Sequence, residues 1–329
     1  MNKQRIVAFD YIRCICIWGI VQEHFLWLCR NYNIEFNILE MVNSYGNLGW
    51  GGFGTAMFFI LSGAALTYNY SGASFSIKNF YKKRFLKICI PLYIGHIIFF
   101  VIISICQDHI LYKITFQSIL NTLMGRGLVG EWFTTVIIFC YIIFPILRFL
   151  IINYVGVSSI IFSIIFIANL KLGIFNINDS KWSSYTNGVY AFWIGMLIAK
   201  YMLLERGNTI WKIDKKFFIL LFLLGVMPWF SLKISLDGMW FYIPTIICSI
   251  ILFILMLYIK KENKIIKKIS SYSYEVYIIH HQIMYLTFPV FSSFMRTQSQ
   301  YMLFFILIIV LISMFSKKFH KMNSWILRI

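Results

Sequence analysis

Long apolar runs, each interrupted by a short polar or basic stretch, follow one another along the whole chain. Ten stand out, at roughly 7–29, 48–70, 88–106, 132–153, 155–170, 185–204, 216–234, 240–259, 273–291 and 300–316. About 20 apolar residues in a helix cover the ~30 Å of hydrocarbon in a bilayer, so each run predicts a membrane-spanning helix, the fifth being the shortest. The expected fold is all-α: a polytopic transmembrane helical bundle of about ten spans. It reads as a single domain over 1–329, without tandem repeat, low-complexity linker or soluble module. The first run is long enough to span and no small-x-small cleavage site follows it, so it reads as a span and not as a signal peptide.

Polar residues inside these runs refine the picture. Residues 5–25 read RIVAFDYIRCICIWGIVQEHF and carry Asp10, Arg13, Glu23 and His24. Ionisable groups are costly in a bilayer and mark a protein interior or a wet cavity. Arg13 and His24 are eleven residues apart, three helical turns plus about 20°, so they share one face about 16 Å apart along the axis. Asp10 lies one turn before Arg13 on that face. His24, with an ordinary pKa near 6.5, is the candidate proton acceptor. Glu23 points about 100° away from it.

Three further stretches carry candidate chemistry. GNLGWGGFGTAMFFILSGAAL, at 46–66, opens a span with five glycines. Amides at a helix N-terminus attract developing negative charge, and glycines equally serve close helix packing; Ser62 and Gly63 are assigned to packing. FYKKRFLKICIPLY, at 80–93, is a basic helix running into the third span, where Arg84 and Lys87 share a face suited to phosphate. Glu131 and Trp132 begin the fourth span level with His24. SYSYEVYIIHHQI, at 271–283, sets His280 and His281 about 10–12 Å into the ninth span. Being adjacent, at most one of the two is expected to face the cavity.

Composition and charge then settle orientation. Hydrophobic residues make up 60% of the chain and charged ones 13%, against about 25% charged in soluble domains. With a cytoplasmic N-terminus, alternating loops put 22 of the 30 Lys and Arg inside and 7 outside, Arg13 being within the membrane. That asymmetry predicts both termini in the cytoplasm. The net charge of +18 is thereby explained by membrane topology and anionic lipid, and no nucleic-acid partner is implied. The seven cysteines contain no CxxC pair, so neither a disulfide framework nor a metal site is expected.

Taken in order, Asp-x-x-Arg with Arg-x10-His (Asp10, Arg13, His24), GGFGTAMFFILSG, FYKKRFLKICIP, EWF…YIIFP and SYSYEVYIIH resemble the acyltransferase-3 family of integral membrane acyltransferases. The likeness spans almost the whole chain. It implies transfer of an acetyl (acyl) group from acetyl-CoA to a hydroxyl of a cell-surface polysaccharide or lipid-linked saccharide, in the bacterial cytoplasmic membrane. His24 would be the essential base, with Arg13, Asp10 and Glu131 beside it in the catalytic set. Arg84 and Lys87 would hold CoA, and Glu23, Trp132 and His280 would face the acceptor. Arg13 or glycine-loop amides would stabilise the oxyanion. The chain departs from the family pattern at Lys87, where a second arginine is usual, and at Glu131, where many relatives have histidine. A transporter or flippase of a glycan intermediate is the rival reading. Transporters often show inverted repeats, and the two halves of this chain show no correspondence.

Overall fold

The computed structural model describes residues 4–37, 50–72, 75–105, 120, 132–173, 176–177, 180–204 and 242–327. Within these, α1 (Ala8–Asn31), α2 (Trp50–Asn69), α3 (Ile77–Ile105), α4 (Trp132–Asn153) and α5 (Val155–Leu172) lead to a two-stranded antiparallel ribbon, β1 (Asn176–Ile177) with β2 (Ser180–Ser184). Then come α6 (Tyr185–Ile198), continued by a π-helical turn (Ala199–Leu204), α7 (Tyr242–Met256), α8 (Lys264–Ser271), α9 (Ser273–Phe291) and α10 (Gln298–Leu327). The expected helical bundle is present, with the small ribbon as its one addition among the described residues.

Among the described residues, seven helices are long and apolar enough to cross a membrane: α1, α2, residues Ile77–Ile102 of α3, α4, α5, Tyr185–Leu204 and α10. The chain is a multi-pass membrane protein. α7 is apolar but only 15 residues long. α9 has 19 residues, yet Glu275, His280, His281 and Gln282 dilute its apolarity and all four are buried. The expected seventh span, 216–234, lies outside the described residues. The outer surfaces of α4, α5 and α10 are lined with exposed Ile142, Ile146, Ile160, Ile164, Leu303 and Ile306, as helices facing lipid must be, since water is not their solvent.

The centre is α1, α2 and α6, drawn together by small residues. A Cβ on Gly63 would overlap the carbonyl of Phe192, and one on Gly195 would overlap the carbonyl of Ile60. The α2 and α6 backbones therefore touch at two reciprocal points, the kind of close approach that replaces hydrophobic driving force inside a membrane. On the other side of α2, a Cβ on Gly54 would come within 2.8 Å of the Cys16 carbonyl of α1, and one on Gly51 within 2.7 Å of the Glu23 side chain. So the described part of the glycine cluster packs α2 onto α1. Gly52 alone faces open space.

The basic stretch before the ninth span is a helix in its own right. Asn263 caps α8, its Oδ1 accepting from the amides of Ile265 at 2.8 Å and Ile266 at 3.2 Å. Such caps satisfy amides that have no helical partner. α8 lies against the start of α1, where Cys14 Sγ approaches the Ile266 carbonyl at 3.4 Å.

Candidate functional site

The polar wall of α1 is built, and its two ends do different things. At the first, Asp10 is buried and accepts from three groups. Arg5 Nη2 lies 2.6 Å from Oδ2, Arg13 Nη1 lies 3.3 Å from Oδ1, and the Ser270 hydroxyl donates to Oδ1 at 2.8 Å. Arg13 also donates to Ser270 Oγ at 3.4 Å. The Asp10–Arg13 pair follows from their spacing of one helical turn. Arg5 and Ser270, the last turn of α8, join it only in three dimensions.

Next to this network is a cavity of about 210 Å³ whose polar lining is Arg13, Ser62, Arg84, Tyr141, Ser273, Tyr274 and Tyr277. Ser62 thus faces a cavity, while its neighbour Gly63 does the packing. Arg84 extends from α3 with its guanidinium carbon 5.8 Å from the Tyr141 ring centre and 5.9 Å from those of Tyr70 and Phe80. Aromatic faces hold a guanidinium in this way by attraction to the ring quadrupole. Its Nε is buried and has no hydrogen-bond partner among the described residues. Two guanidiniums therefore meet in one small space that no carboxylate lines among the described residues, and Asp10, which Arg13 touches, is already shared with Arg5. That is an excess of positive charge suited to an anionic ligand. Lys87 is not part of it: this side chain is exposed and does not line the cavity. Arg84 and Ile88, one turn apart on α3, line the cavity, and Lys87 between them projects from the exposed side, so the cation that stands with Arg84 in the cavity is Arg13 and not the expected Lys87.

At the far end of the wall, His24 Nδ1 lies 2.8 Å from His280 Nε2. His281 is there too, its ring centre 4.0 Å from that of His24 and 4.4 Å from that of His280. At most one of the adjacent histidines is expected to face the cavity; neither lines it, and both meet His24 instead. Residues 100° apart on α9 both reach His24, because it approaches between them and an imidazole on its Cβ arm covers the remaining angle.

Partners assign the tautomers. His280 Nδ1 lies 2.7 Å from the Tyr277 carbonyl and 3.1 Å from that of Val276. Carbonyls only accept, so this nitrogen carries hydrogen and Nε2 of a neutral His280 carries the lone pair. His24 Nδ1 must then donate to it, which leaves the lone pair of His24 on Nε2. A backbone carbonyl thus sets, through two rings, which nitrogen of His24 is basic.

Tyr277 links the two ends, lining the cavity and lying 5.7 Å, ring to ring, from His280. Glu23 lies against Gly51, with Oε1 3.6 Å from Arg30. Trp132 is half-buried at the start of α4, its ring 6.1 Å from Phe59. Glu131 lies outside the described residues. A further contact went unforeseen: buried Glu275 Oε1 is 2.8 Å from His320 Nδ1 of α10. Glu275 stands in the SYSYEVYIIH stretch, but a partner 45 residues away leaves no trace in local spacing.

A family model described as an acyltransferase domain matches residues 6–322. No curated protein and no solved structure matches the chain.

Proposed function

Because the chain belongs to the acyltransferase-3 family, we propose that this membrane acyltransferase moves an acetyl group from acetyl-CoA to a hydroxyl of a cell-surface polysaccharide, or of its lipid-linked precursor, with His24 as general base. The observation that carries this reading is the 2.8 Å contact of His24 Nδ1 with His280 Nε2. It leaves Nε2 of a half-buried His24 as a base unshared among the described residues, on the face of α1 that also carries Arg13.

In the proposed mechanism the phosphates of the donor lie by Arg84 and Arg13, and its flexible arm carries the thioester past Tyr277 toward the histidines. His24 Nε2 takes the proton of the acceptor hydroxyl as its oxygen attacks the thioester carbonyl. The tetrahedral oxyanion collapses, the C–S bond breaks, and the thiolate leaves with the proton from His24. Arg13 is too far away to stabilise that oxyanion, since eleven residues of continuous α1 set it about 16 Å from His24. Its work is donor binding, with Asp10 and Ser270 orienting it. The oxyanion falls to amides of the first turn of α2, which meets α1 at Glu23 through Gly51. The 22:7 charge asymmetry supports a bacterial cytoplasmic membrane protein with cytoplasmic termini and donor entry from that side. A reporter fused after Lys268 that registered the outside would reverse the direction of entry.

Mass spectrometry of surface glycan with and without the gene tests the function. Loss of one acyl mass per repeat is expected, whereas loss of the polymer itself would mark a transporter. For the donor site, Arg84→Ala is expected to raise the apparent KM for acyl-CoA about tenfold or more, since a charge-assisted contact is worth about 1.5–3 kcal/mol. Lys87→Ala, on the exposed side of α3, should change it far less. Equal losses in both variants would move the donor from the cavity to the helix surface.

A further inference from the structure

The three histidines have a capacity that acyl transfer does not use. We propose that His24, His280 and His281 form a binding site for a divalent transition-metal ion of the zinc class, and that the bound ion switches the base off.

One ligand nitrogen from each ring lies within 4.8 Å of the other two. Zinc held by imidazoles at ~2.0–2.1 Å in tetrahedral geometry separates the nitrogens by about 3.3 Å. The 2.8 Å His24–His280 contact has to open slightly and His281 has to swing in, both movements of side chains alone. Two features beyond proximity point to a ligand. His281 Nδ1 is buried without a hydrogen-bond partner among the described residues, and a protein normally avoids leaving a polar atom so. His280 has its Nδ1–H fixed on the Tyr277 carbonyl, the outer support that turns the other nitrogen of a metal-binding histidine toward the ion. Neutral imidazoles favour zinc, copper, nickel and iron over magnesium and calcium, which want oxygen.

The switch follows from counting lone pairs, and this part rests on the proposed role of His24. A neutral imidazole has one. Whichever nitrogen of His24 gives it to the ion, the other carries the hydrogen, and no basic nitrogen remains for the acceptor hydroxyl. Metal binding and proton abstraction are mutually exclusive at this residue. His281 is then a metal ligand with no part in acyl transfer.

The test uses the full-length protein, purified in detergent, stripped with a chelator and titrated with Co²⁺ alone, without acyl donor. One Co²⁺ per chain is expected, with the intense visible bands of low-coordinate nitrogen ligation, and Zn²⁺ should displace it. His280→Ala and His281→Ala should each weaken binding at least about tenfold, a ligand mattering no less than its outer partners. His320→Ala, outside the cluster, should bind as wild type does. The wild-type spectrum decides even if a variant fails to fold: a thiolate-to-cobalt charge-transfer band would assign the ion to a cysteine, and binding unchanged in the two variants would make it adventitious. Either result overturns the site. In the transfer assay, micromolar Zn²⁺ should abolish activity and a chelator restore it. Undiminished transfer with the site filled overturns the switch. A protein that binds Co²⁺ but transfers no acyl group from any donor counts against the proposed function and leaves the site standing.

Discussion

His24→Gln should lower acyl transfer by at least about a hundredfold, with protein level, elution profile and donor binding close to wild type. A positioned base supplies about 10²–10⁴-fold, and a histidine that only packs supplies none of it. Glutamine preserves size, and its amide can still donate to His280 Nε2, so the contact between α1 and α9 survives while basicity near neutrality is lost. The companion substitution separates the two rings. His280 accepts from His24 Nδ1 and in the proposed mechanism only positions it, so His280→Gln, whose amide oxygen still accepts, should keep a substantial part of kcat. His280→Leu offers no acceptor and should lose most of it with little change in KM. Wild-type transfer by His24→Gln together with a dead His280→Gln would put the base on α9 and reduce α1 to a binding wall.

Asp10→Ala should reduce the amount of folded protein as well as its activity. The substitution strips one carboxylate from two guanidiniums and a hydroxyl at once. Removing one partner of a buried ion pair typically costs about 3–5 kcal/mol. The Arg5 and Arg13 side chains remain 43% and 34% exposed, so solvent relieves part of the penalty and the lower end, about 3 kcal/mol, is expected. Against a total stability of about 5–15 kcal/mol that is a large fraction. A fall in the monodisperse fraction and in Tm, measured in detergent, is the readout. Asp10→Asn, which can still accept from Ser270, should fall between wild type and alanine. Arg13 reaches both Asp10 and Ser270 through one nitrogen, Nη1, which leaves the rest of its planar fork for the cavity it lines; Arg13→Lys should keep the first pair of contacts and lose the second, lowering activity more than yield. Full yield and unchanged Tm in Asp10→Ala would mean that the carboxylate holds neither cation.

What the amino-acid order settled by itself was everything governed by local period and by the bilayer. Apolar runs of spanning length are helices wherever they are described, because lipid leaves the backbone no other partner than itself. The Asp10–Arg13 contact and the shared face of Arg13 and His24 follow from 3.6 residues per turn within one continuous helix. Motif order carried the family. What only the tertiary structure decided were contacts between helices distant in sequence. His24 meets His280 and His281 across 256 residues or more, so neither the tautomer of His24 nor the three-imidazole cluster is visible in spacing. Arg84 stands with Arg13 and not with Lys87 because the face of α3 turned to the cavity is that of Arg84 and Ile88, and which face is turned inward depends on the helices around it. Ser270 reaches Asp10 because a run of lysines and isoleucines folds as α8 against α1. Gly51 and Gly54, open to either use in sequence, are pressed against α1, by the Glu23 side chain at the one and the Cys16 carbonyl at the other, while Gly52 faces open space. Periodicity fixes where a side chain points on its own helix, whereas which neighbour it meets depends on how helices cross.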